Sequence, residues 1–88
     1  MHPHQDFDAE VKLTLHRDEA IVLYWFLSRE FLSNDGERLK PAFDHPSEEH
    51  SLLGVLHELM PALVDTSDPE HADQIHSDAR THLMKRFE

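Results

Sequence analysis

Residues 20–27 are apolar without a break, and they lie inside the stretch Arg17–Ser33, which opens with acids. At helical spacing Ala20, Leu23, Tyr24, Leu27 and Phe31 share one tight face, widened by Ile21, Trp25 and Leu32. Val22 and Phe26 fall on the opposite side, among Asp18, Glu19, Arg29, Glu30 and Ser33. A helix apolar nearly all round has to be covered on both sides. The stretch therefore predicts a central helix whose second side is shielded in one of two ways. The first strand or the chain near Phe43 covers it, or a second subunit or partner protein does. Trp25, on that flank, is a residue type that anchors interfaces. The feature points to association and to no particular chemistry.

Upstream, Phe7, Ala9, Val11, Leu13 and Leu15 alternate with Asp8, Glu10, Lys12 and Thr14. This period of two reads as a half-buried strand with one wet face. It leads into the helix at His16, which stands at the N-cap with Glu19 in the capping-box position. One strand alone cannot satisfy its backbone groups, so it needs the segment 38–43 or the same strand of a second subunit. Leu39 and Phe43 suit a second short strand, but Pro41 restricts that segment to an edge or a short extended piece. Between them Ser33–Gly36 stops the helix, with Asn34 or Gly36 able to turn left-handed.

Residues 44–49 read as a helix start, with an Asx-type cap at Asp44, an early proline and two acids. Leu52, Leu56, Leu59 and Leu63 form its core stripe, and Pro61 is expected to bend the helix or end it a turn early. Asp68 and Pro69 signal a third helix, whose narrow stripe is Ala72, Ile75, Ala79 and Leu83, joined by Phe87. The expected fold is α+β and α-dominant: an N-terminal strand, with room for a second at 38–43, followed by and packed on three helices. It is one domain over 1–88, with 1–6 as a loose tail.

The balance of 18 acids against 8 bases gives a net charge of −10. That opposes binding to a phosphate backbone, so no nucleic-acid partner is expected. An acidic face at Glu70, Asp73, Gln74 and Ser77 likewise argues against a helix-turn-helix there. Protonating all nine histidines would bring the charge from −10 to −1, which predicts altered association in mild acid. With no cysteine there is neither disulfide nor thiolate metal site. No membrane span or secretory leader is evident, so the cytoplasm is the expected compartment.

Histidine chemistry is the rival to association. His45 and His50 nearly form an inverted zinc-peptidase pattern, but the second lies one residue too far on to share a face with the first. His57 with Glu58 lacks its second histidine, because position 61 is proline. His50 and His57 share a face two turns apart, which is long for common ligation. No serine stands in a nucleophile elbow, and the paired carboxylates Glu48/Glu49 and Asp18/Glu19 read as helix starts. No metal, cofactor or catalytic residue is assigned; His45, His50 and His57 are the ligands of the alternative alone.

Val11–Leu15 (VKLTL), Arg17–Leu23 (RDEAIVL) and a Glu-containing, Leu-rich helix resemble a group of small bacterial proteins of unassigned function. In these a strand ending in Leu-Thr or Leu-Ser leads into an Arg-(Asp/Glu)-Glu-Ala-(Leu/Ile)-Val-Leu helix. The likeness spans about residues 9–64 and departs at His16, where a hydroxyl residue is usual, and at Pro61. It implies a fold and no activity. The expected role is a non-catalytic interaction module that homodimerises through Val11, Leu13, Val22, Trp25 and Phe26. Its acidic surface suits a basic partner, as in an immunity- or antitoxin-type inhibitor.

Overall fold

The apolar run forms α1, Arg17–Ser28, which prolongs through Arg29–Ser33 as a single π turn. The computed structural model describes residues 6–63 and 70–87, and adds α2, Pro46–Ala62, and α3, Ala72–Lys85. Both other helices pack on α1. The core consists of Ile21, Leu27 and Phe31 from the first helix and its π turn, Leu56, Leu59 and Leu63 of α2 and its end, and Ala79 of α3. Leu27 and Leu56 are fully buried. Ala20, Leu23, Tyr24 and Trp25 are half-buried against this cluster, whereas Leu32, expected to widen the core face, is 63% exposed.

Among the described residues there is no strand, which corrects the α+β expectation to a helical fold. The reason lies in segment 38–43, the stretch read as the arm's partner strand within the chain. It forms a 3-10 turn at Lys40–Ala42, with the Ala42 and Phe43 amides donating to the carbonyls of Leu39 and Lys40. Pro41 suits such a turn and lacks the N–H a ladder requires. Leu39 and Phe43 pack half-buried on the core instead of forming a sheet edge. Residues 10–16 are left as irregular chain without a ladder.

The first helix ends on two consecutive left-handed residues, Asp35 (φ 53°) and Gly36 (φ 73°), rather than on Asn34. The Gly36 amide donates to the Glu30 carbonyl at 2.7 Å, and Asn34 Nδ2 donates to the Arg29 carbonyl at 2.9 Å. These bonds satisfy carbonyls that the helix end would otherwise leave open. A Cβ on Gly36 would come 3.0 Å from Glu49 Oε1 and 3.1 Å from the Phe31 ring, so a larger residue would strain the left-handed backbone and make those side chains shift. Glu30, on the polar side in the sequence reading, is buried. It accepts from Arg38 Nε (3.0 Å) and Nη2 (2.6 Å) and from Arg29 Nε (2.9 Å). Hydrogen bonds from Arg38 and then Arg29 outweigh burial and hold its carboxyl below the usual range.

In α2 the N-cap is His45, one residue after the expected Asp44, with Pro46 opening the helix. His45 Nδ1 accepts from the Ser47 amide at 3.1 Å, and the His45 amide donates to Glu48 Oε2 at 2.6 Å. The helix runs through Pro61 to Ala62, so the proline does not end it a turn early. It sits in the last turn, where its missing N–H removes a single bond. The start signal at Asp68 and Pro69 lies outside the described residues, as does most of the tail; His71 holds the N-cap position of α3. Ala72, Ile75 and Leu83 are half-buried as expected, while Phe87 is 76% exposed and does not join the stripe.

Candidate interaction surface

The second side of α1 is built around Asp18. Asp18, Ile21, Val22 and Trp25 recur at helical spacing and form a stripe distinct from the Leu27/Phe31 face. Helix α3 lies along it, antiparallel to α1. His82 Nδ1 meets Asp18 Oδ2 at 2.6 Å, Arg86 donates to Asp18 Oδ1, and His76 stacks on Trp25 with ring centroids 4.7 Å apart. The Glu19 amide also donates to Asp18 Oδ1, at 2.7 Å. Asp18 is buried, and burial alone would raise its pKa. The hydrogen bonds from His82, Glu19 and Arg86, with the arginine's charge, outweigh it and leave the carboxyl below its ordinary value.

His76 moves in the direction that disfavours its charged form. Burial against Trp25 comes first, and the charges of Arg80 and Arg29 add to it, against Asp73. Trp25 Nε1 and Ser28 Oγ, one turn apart on the same helix, are buried with no hydrogen-bond partner among the described residues.

The five interface candidates thus separate. Val22 and Trp25 are half-buried against the chain's own core. Phe26, between the two packed faces, keeps 37% of its surface exposed, with the Arg29 guanidinium 5.3 Å above its ring. Val11 and Leu13 are 91% and 75% exposed, and Phe7 is 90% exposed. Of the arm's alternating residues, only Leu15 packs on the core.

Sequence reading misses two groups. Phe7 belongs to the same alternation as Val11 and Leu13, and its size marks it as the largest apolar side chain on the arm. The Asp18–His82–Arg86 clamp is foreshadowed by an acid in register with Ile21, Val22 and Trp25, although acids in a first turn ordinarily serve the helix dipole.

The rival histidines are not brought together for chemistry. His45 caps α2 through Nδ1, and His50 and His57 are exposed on the same helix. Among the described residues no three His, Asp or Glu side chains gather as a metal site. No described helix is long and apolar enough to cross a membrane. Comparison with protein-family models, curated proteins and solved structures gives no match to this chain.

Proposed function

We propose that the protein is a non-catalytic interaction module that associates with a second copy of itself through its N-terminal arm, with Phe26 as a second contact. The observation that supports this reading most is the exposure of Phe7, Val11 and Leu13. Large apolar side chains scattered singly on a surface are unremarkable, but three on one short segment are apolar surface that association would bury. Trp25 contributes indirectly, by stacking on His76 of α3, and Val22 packs on the core. The acidic surface, at −10 overall, favours a basic protein as any further partner and disfavours nucleic acid.

Sedimentation equilibrium tests the reading. The expected mass is twice the 10.3 kDa of one chain. Exchange of both Phe7 and Leu13 for Asp is expected to return it to one chain with helix content intact by circular dichroism. Phe26→Asp is expected to weaken the dimer less. A strict monomer across the accessible concentration range refutes self-association.

A further inference from the structure

We infer that the arm is self-complementary, so that residues 6–16 of two copies pair antiparallel about a two-fold axis through Val11. This deepens the self-association reading above and rests on it. The free chain has no ladder here; pairing would arise only between copies.

The register follows from the order of residues. With Val11 opposite Val11, Glu10 of each copy faces Lys12 of the other, and Asp6 faces His16. On the other side of the ribbon Phe7 faces Leu15 and Ala9 faces Leu13. Apolar side chains therefore meet apolar ones on one face; on the other Glu10 meets Lys12 and Asp6 meets His16, while Asp8 meets Thr14. Shifting the pairing by two residues sets Glu10 against Glu10 or Lys12 against Lys12. Shifting it by one sets apolar side chains against charged ones. In a chain of net charge −10, this register sets the arm's lysine against an acid of the second copy on both sides of the axis.

The structure leaves this segment available. Residues 6–14 are exposed, and residues 10–15 make no backbone–backbone hydrogen bond with described residues. Those open groups are what a second strand would take up. Pairing requires opening the turn at Asp6–Ala9, closed by a 3.3 Å bond from the Ala9 amide to the Asp6 carbonyl. It also sets Phe7 of one copy beside Leu15 of the other, the point where the arm meets the core. Asp6 then lies near the N-terminus of the second copy's α1, where the helix dipole favours an acid.

Single-cysteine crosslinking of the full chain reads the register directly, since the native sequence has no cysteine. Facing positions of an antiparallel pair lie within the Cα separation a disulfide spans. Val11→Cys is expected to form a homodimeric disulfide readily. Ala9→Cys and Leu13→Cys are expected to fail alone and to crosslink when mixed with each other.

Charge exchange supplies the second readout. Glu10→Lys creates two Lys–Lys contacts and is expected to raise the dimer Kd about tenfold, and the double variant E10K/K12E to restore it. A wild-type chain that stays monomeric overturns both this inference and the self-association reading. A dimer in which V11C crosslinks no faster than A9C, or in which E10K/K12E is not restored, overturns the register and leaves self-association standing.

Discussion

The central helix and the N-terminal arm present the same problem and resolve it differently. Each carries more apolar side chains than a single solvent-facing element should. In α1 most of the surplus is absorbed within the chain, with Phe26 left 37% exposed: α3 lies along the Asp18–Trp25 stripe, and the Leu27/Phe31 side enters the common core. In the arm Phe7, Val11 and Leu13 stay exposed, and Leu15 alone reaches the core. The difference lies in how each element satisfies its backbone. A helix closes its own hydrogen bonds and needs only side-chain cover, which two neighbouring helices supply. A strand needs another strand, and the segment read as its partner is wound into the Lys40–Ala42 turn.

The largest loss of stability therefore comes from truncation inside the helical body. Leu27→Ala or Leu56→Ala, each at a fully buried site, should cost about 2–5 kcal/mol by urea unfolding. A cost under about 1 kcal/mol would mean that the body is less well packed than described.

The clamp between α1 and α3 sharpens the same contrast, because it is the polar device that holds the second wall in place. Asp18→Asn keeps the side chain's shape but removes the charge that His82 and Arg86 meet, so the melting temperature should fall at neutral pH. The Asp18 pKa is depressed in the folded state. Its contribution is therefore present above the unfolded-state pKa and lost as pH falls through the folded one. Thermal melts of wild type and D18N should converge in acid. Parallel curves would show that the carboxylate does not provide the stabilisation.

Gly36→Ala should cost about 1–2 kcal/mol for the left-handed backbone alone. The approach to Phe31 and Glu49 adds to that cost. Asn at the same position, which tolerates this backbone better, cannot relieve the crowding. An unchanged urea midpoint for G36A would show that the turn after the π segment rearranges freely.

His76 gives a weaker effect of the same sign as Asp18. Its folded pKa is below the ordinary 6.5, so the unfolded chain takes up the proton first. Stability should begin to decline as pH falls below about 6.5 and continue toward the lower folded value. Replacement of His76 by Gln should flatten that part of the curve, and an NMR titration of the ring checks the direction of the shift.

Much of this architecture is legible in the sequence, and the exceptions share a cause. Leu56, Leu59 and Leu63 of the second helix, and Leu27 and Phe31 of the first, are core residues by spacing and by structure. What periodicity does not report is the identity of the element that covers a face. Val22 reads as off-face because the pattern shows one stripe clearly, yet it is half-buried against the core; α3 covers a second stripe, marked by Asp18 and Trp25. The arm's alternation shows which side chains would share a strand face, but carries no information on whether a second strand exists. Histidine is a further source of error. Its ring nitrogen can cap a helix as Asp does, so His45 takes the position that propensity assigns to Asp44.

The smallest expected effect is also the one that most directly divides arm from body. Val11→Ser replaces a side chain that is 91% exposed, so in dilute solution, where only monomers are present, it should change unfolding free energy by less than about 0.5 kcal/mol. At concentrations where copies associate, the same substitution removes the apolar contact on the two-fold axis, and the apparent stability gained from dimer formation should shrink with it. Wild type should therefore melt at a temperature that rises with protein concentration, and V11S at one that rises less. A variant destabilised equally at all concentrations would place Val11 in the body of the fold, and the distinction between the two regions would fail.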